Sequence, residues 1–173
     1  MGAAWPEPVE RVSAFLRSAG AEARIEEFPD GTPTAADAAS AVGCGLDQIV
    51  KSLVLVCDER AVVALVPGDR RADTEKIARG AKAAKARVAS AEEVTSATGF
   101  APGAVAPFPL PSVDLVLMDR SLLRHPLVWA GAGSSRHMVG LAPTELRRLA
   151  RARPLDVTQD AKLYDSTQTP KES

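Results

Sequence analysis

The sequence predicts a single α/β or α+β domain built on a mixed sheet, and three observations carry that reading. Residues 49–57 and 61–66 are almost continuously apolar and β-branched, the pattern of strands at the centre of a sheet covered on both faces. Segments with helical spacing alternate with short strand-like runs, so adjacent strands and crossovers both occur. The 173 residues suffice for one compact core and are too few for two comfortable ones.

The elements follow in order. Val9, Val12, Phe15, Leu16 and Ala19 recur at helical spacing, and Gly20 is placed to end that helix. Residues 23–28 read as a short strand and 29–33 as a turn-rich loop. Thr34 caps a second helix reaching about Val42, with Asp37 three residues on. The two apolar runs come next, joined by a three-residue hairpin loop, Asp58-Glu59-Arg60. Residues 73–80 are helical, 85–89 form a short basic strand, and Ser90 with Glu93 opens a helix that ends at Gly99. The stretch 99–111 holds two Gly and four Pro, which makes it a shaped loop. Residues 113–118 form a strand, and strands at 127–130 and 137–141 flank a Gly/Ser loop. Pro143 starts a final helix to Arg151. The domain is expected over 1–155, with a polar, mobile tail at 156–173.

Composition removes several functions. Aromatics are 4%, too few for a stacking platform on single-stranded nucleic acid. No apolar run approaches the roughly 20 residues of a membrane span, and the N-terminus lacks the order of a signal peptide, so a cytoplasmic protein without membrane contact is expected. Cys44 and Cys57 are too few for a disulfide scaffold and are not spaced for metal. No cofactor or metal is called for. Residues 131–136 begin like a dinucleotide fingerprint but place Arg136 where the third glycine belongs. They form no G-x-S-x-G elbow either. His125 and His137 are the only histidines and belong to no ligand cluster.

Charge is uneven. Residues 1–50 hold eight acidic and three basic side chains, whereas 70–87 hold seven basic and two acidic. Arg147, Arg148, Arg151 and Arg153 form a second basic cluster. Such clusters suit either solvated helix faces or a phosphate backbone. Lys51 stands out inside an apolar strand; burying its charge unpaired costs several kcal/mol, so it is expected to open into a cleft or face a partner.

Four segments together resemble the YbaK/prolyl-tRNA-synthetase-associated domain family. They are the strand 47–55 around Lys51, the turn Val66-Pro67-Gly68-Asp69 into a helix, the G-x-x-x-P loop Gly103-Ala104-Val105-Ala106-Pro107, and the glycine turn at 131–133 followed by 137–143. The likeness spans about residues 8–150. It implies a mostly antiparallel, partly barrel-like mixed sheet surrounded by helices, and an aminoacyl-tRNA deacylase that acts in trans on mischarged tRNA without metal, of the prolyl-tRNA type. The partners it implies are the tRNA acceptor end and an aminoacyl-tRNA synthetase. Lys51, Gly103 and Gly131 are the implied catalytic centre. Phe28, Ser52, Ala104, Val105, Pro107, Ala132, Gly133, Ser134, His137 and Met138 are the implied substrate-binding residues. Where cysteinyl-tRNA-type members carry an aspartate near the pocket, Met138 stands here with His137 beside it. That departure points to a different or broader pocket. A binding module that holds the tRNA end or an aminoacyl ligand without turnover is the alternative, and Schiff-base chemistry on Lys51 a third.

Overall fold

The computed structural model describes residues 5–160. Among them are five α-helices: α1 Glu7–Ser18, α2 Ala35–Val42, α3 Thr74–Gly80, α4 Ala91–Thr98 and α5 Pro143–Ala150. Eight strands accompany them: β1 Ala23–Glu27, β2 Ile49–Cys57, β3 Arg60–Pro67, β4 Ala86–Val88, β5 Leu115–Asp119, β6 Val128–Ser134, β7 His137–Leu141 and β8 Arg153–Leu155. The helix starts lie where their caps require. Thr34 accepts from Asp37 N, Asp73 from Glu75 N and Lys76 N, and Ser90 and Glu93 satisfy each other's backbone in a capping box. Each cap is worth about 1 kcal/mol.

All eight strands join one sheet in the order β1-β7-β6-β2-β3-β5-β8, with β4 added on β2. Four pairings are antiparallel (β1–β7, β6–β7, β2–β3, β2–β4) and three are parallel (β2–β6, β3–β5, β5–β8). The path is open, ending at β1 and β8, and no barrel closes. Alternate residues of β3 face opposite layers. Val63 and Leu65 pack with Val12 and Leu16 of α1 and Leu146 and Leu149 of α5. Val62, Ala64 and Val66 pack with Ile77 of α3. The central strands are therefore covered on both faces.

The sheet divides along one edge of β2. β3 pairs with that strand from Val50 to Cys57 on one side. On the other side β6 takes Ile49 and Val50, and β4 takes Leu55 to Cys57. Between them Lys51, Ser52, Leu53 and Val54 have no strand partner on that edge among the described residues, although the Val54 carbonyl accepts from Ala89 N at 2.9 Å. Here the sheet opens.

Three local expectations are corrected. The β2–β3 loop has two residues, Asp58 and Glu59, both at positive φ (51° and 78°), while Arg60 pairs with Cys57. A two-residue turn with both residues at positive φ matches the right-handed twist of the strands it joins. The Asp58 carboxylate accepts from Ala84 N and Lys85 N at 2.8 and 3.0 Å, which locks the approach to β4. Residues 131–134 continue β6 instead of forming a loop, and the turn is Ser135-Arg136. The third correction is at the C-terminal end. The sequence offers no strand at 153–155, yet β8 forms there; as an outer strand it tolerates Pro154, a residue without an N–H.

The expected tail at 156–173 lies mostly outside the described residues, but its first residues pack. Val157 and Thr158 are buried. The buried Asp119 carboxylate accepts from Val157 N at 3.1 Å, Thr158 Oγ1 at 3.3 Å, Ser121 N at 3.2 Å and the Ser121 hydroxyl. Lys76 Nζ donates to Asp156, Asp160 and the Thr158 carbonyl at 2.8–2.9 Å. Replacing Asp119→Ala strands the Val157 N–H, so we expect a loss of about 2–3 kcal/mol, read as a lower urea midpoint with unchanged slope.

Candidate functional site

A cavity of about 220 Å³ lies where the sheet opens. Four parts of the chain wall it. β2 contributes Ile49, Val50, Lys51 and Ser52; the proline-rich loop contributes Gly103 and Val105. The β6–β7 hairpin supplies Gly131, Ser134, Ser135, His137 and Met138, and residues 32–35 with Ala38 of α2 complete the wall. The last part is fastened to the hairpin turn. Thr32 N donates to the Ser135 carbonyl at 2.8 Å, and Phe28 N to the Arg136 carbonyl at 2.7 Å.

The polar groups are few and distinct. Lys51 is exposed, and its ammonium donates to the Arg70 carbonyl at 3.2 Å, so it stands at the rim as a hydrated point charge. Ser52 Oγ is buried without a hydrogen-bond partner among the described residues, which leaves a hydroxyl free to donate or accept. The backbone approaches closely at Gly131. A Cβ there would lie 3.5 Å from the Val105 carbonyl, ordinary contact that nonetheless fills the gap between hairpin and loop. Gly103 holds φ +82° with open space beside it, so conformation, and not crowding, calls for glycine.

His137 is only 2% exposed. Its Nδ1 lies 2.6 Å from Ser134 Oγ, which also accepts from Arg136 N at 2.9 Å. The Trp5 ring meets the imidazole edge-on at 5.4 Å, and Nε2 has no partner among the described residues. Burial pushes the imidazole pKa down; the Glu27 charge opposes this and Arg136 adds to it. The neutral ring can take the Ser134 proton at Nδ1, but among the described residues nothing orients it through Nε2 as the third member of a triad would.

Of the residues singled out from sequence, Lys51, Ser52, Gly103, Val105, Gly131, Ser134, His137 and Met138 meet at this cavity. Five do not line it. Phe28 packs one layer back with Ala38, Ala39, Ile49, Trp129 and Met138. Ala104 holds the loop through its N–H, which donates to the Ala101 carbonyl at 2.9 Å. Pro107 lines a separate groove beside Phe108 and Phe15. Ala132 lies wholly in the core, because β6 alternates and residues 128, 130 and 132 share its inner face. Gly133, at φ +106°, lies against α1, where a Cβ would stand 2.9 Å from the Pro8 backbone. Sequence reasoning missed the wall at 32–35 and Ala38. Thr34 was legible only as a helix cap, and no local pattern indicates that its loop crosses the hairpin turn.

Among the described residues no three His, Cys, Asp or Glu side chains gather as metal ligands would, and no helix is long and apolar enough to cross a membrane.

Residues 30–149 match the aminoacyl-tRNA editing domain family. The uncharacterised protein YwhH of Bacillus subtilis is 33% identical over 79% of this chain and 87% of its own length. A proline–tRNA ligase of Xanthomonas oryzae is 30% identical over 81% of this chain, which spans 26% of that enzyme. A crystal structure whose own description proposes a trans-editing enzyme for prolyl-tRNA synthetase superposes with a TM-score of 0.84 and 36% identity. That likeness covers 90% of this chain and 99% of the other.

The neutral, buried state of His137 has a thermodynamic consequence. Its folded pKa lies below the ordinary 6.5, so the unfolded chain binds the proton more readily. The stability it contributes is present above that value and is lost as pH falls toward the folded pKa. We expect the melting temperature to drop from pH 7.5 to 5.5, and His137→Gln to flatten that drop; parallel profiles would contradict the assignment.

Proposed function

The chain belongs to the aminoacyl-tRNA editing domain family, and on that premise we propose that it is a trans-acting deacylase that hydrolyses the ester of mischarged tRNA of the prolyl-tRNA type. The observation that carries the reading is the meeting of Lys51, Gly103 and Gly131, distant in sequence, around one cavity at the split in the sheet.

The chemistry asked of such a site is modest. An aminoacyl ester is already activated, so holding the terminal adenosine with its own hydroxyl, or a water, at the carbonyl supplies much of the rate by orientation. Lys51 donates to a phosphate or ribose oxygen from the rim. Backbone N–H groups of the glycine-bearing segments stabilise the oxyanion without a titrating side chain. Ser52 Oγ offers the ligand a hydroxyl that has no partner among the described residues. Val105, Met138, Ile49 and Ala38 form the apolar wall for the aminoacyl side chain. No metal enters this scheme. The reading places the protein in the cytoplasm, beside a synthetase whose errors it corrects.

Met138 favours one competing reading, a module that binds the tRNA end without turnover, because the wall residue where some relatives carry an aspartate is here apolar.

A panel of mischarged tRNAs decides between them. We expect accelerated deacylation of at least one, and a 10- to 100-fold lower kcat/KM for Lys51→Ala, about what loss of one charged hydrogen bond gives. Affinity for tRNA without ester loss on any substrate would leave only the binding module.

Gly131→Ala gives a separate check. The added methyl meets the Val105 carbonyl at contact distance, so the protein should fold with near-normal stability but hydrolyse more slowly. An unaffected rate would remove Gly131 from the site.

A further inference from the structure

A second cavity, of about 330 Å³, lies at the carboxyl ends of three neighbouring parallel strands. Arg70 follows β3, residues 119–124 end β5 and turn through a 3-10 helix, and Asp156 and Thr158 follow β8. The carboxyl ends of parallel strands are where open sheets bind ligands, because the loops there diverge and leave a crevice.

Three guanidinium groups, Arg70, Arg120 and Arg124, line this crevice. None of them forms a salt bridge among the described residues. The two carboxylates present are engaged already. Asp119 accepts from Val157, Thr158 and Ser121, and Asp156 from Lys76 at 2.9 Å, with Arg120 adding a more distant attraction. The arginines' own hydrogen bonds are weak. Arg70 Nη2 reaches the Gln159 carbonyl at 3.4 Å, Arg124 Nε the Ser121 carbonyl at 3.4 Å, and Arg70 Nε is buried without a partner. Planar forks with uncommitted donors match the oxygens of a phosphate.

The crevice is also placed in line with the first cavity. The Lys51 ammonium donates to the carbonyl of Arg70, whose guanidinium enters the crevice. Lys51 faces Val66 across β2–β3, and Leu65 faces Met118 across β3–β5. Across the sheet, Lys51 of the first cavity and the end of β5 at the second are thus two strand spacings, about 10 Å, apart. About three stacked nucleotides, at roughly 3.4 Å each, cover that distance.

We infer that Arg70, Arg120 and Arg124 form a seat for backbone phosphates of the RNA strand whose 3′ end enters the glycine-walled cavity. The choice of RNA as ligand rests on the deacylase reading; the anion seat itself rests on the arginines.

The test is binding of uncharged tRNA to the whole chain between about 50 and 200 mM salt. Arg120→Ala/Arg124→Ala changes two exposed side chains and should fold normally. We expect about tenfold weaker binding and a log–log salt slope shallower by one to two. The charge-retaining Arg120→Lys/Arg124→Lys should recover part of the affinity, which a folding defect would not. Unchanged affinity and slope in the alanine variant would overturn the seat. So would arginine-dependent binding of inorganic phosphate with tRNA affinity unaltered, the mark of a free-anion site. If tRNA binds through these arginines yet no mischarged tRNA is hydrolysed, the deacylase reading fails and the seat stands. Hydrolysis with no dependence on the arginines gives the reverse.

Discussion

The cavity depends on one constraint: among the described residues β2 is not paired along its whole length on both edges. Nine residues long, it is matched by β3 on one side, but on the other β6 departs after Val50 and β4 arrives only at Leu55. An unbroken sheet would satisfy every backbone group there and leave no concavity. The division releases residues 51–54 from a strand neighbour on that edge, and the proline-rich loop and the β6–β7 hairpin border the opening. A lysine within an apolar strand is tolerated for the same reason. Its ammonium reaches water and the Arg70 carbonyl instead of lying in the core.

Much of this was readable from sequence where the signal is local. Thr34 and Ser90 cap the helices they were expected to cap, because a short polar side chain before an apolar repeat has one low-energy use, whereas Asp73, read as the first residue of its helix, is instead the cap. Central β2 and β3 follow from apolar runs too continuous for a half-exposed strand. Readability fails where register decides. Gly131 and Ala132 are neighbours in sequence, yet one lines the cavity and the other lies in the core, and an irregularity between Gly131 and Ser134 sends Gly133 against α1. Composition marks the segment but cannot say which residue faces which side. Pro107 is a similar case. The loop containing it was identified, but Ala106 and Phe108 anchor in the core and turn Pro107 toward a different groove.

His137 illustrates how a candidate residue can lie at the cavity without its role being evident. It lies at the cavity, but its ring is buried beneath Trp5 and tied to Ser134, and burial keeps it neutral. A neutral imidazole bonded within its own hairpin fixes the shape of the turn that carries Ser134 and Ser135 into the wall. Under the deacylase reading this suits a mechanism that relies on orientation more than on proton transfer by a side chain, since the rate then depends on how rigidly the wall is held.

Charge counts along the chain do not show which basic side chains the fold leaves uncommitted. The basic stretch 70–87 is partly consumed inside the fold. Lys76 binds Asp156 and Asp160, and Arg87 forks onto Glu93, whose carboxyl is held at about 2. In the second cluster Arg148 pairs with Glu145, and Arg153 donates to the Gly80 carbonyl. Arg120 and Arg124 attracted no notice, because they stand apart from both clusters. What distinguishes them, with Arg70, is topology: three loops leaving parallel strands at the same end of the sheet bring separate charges together while the nearby carboxylates are spent on Lys76 and on backbone N–H groups. A charge seeks an external partner when the fold has given it no internal one, and that condition is set by tertiary arrangement, not by density in the sequence.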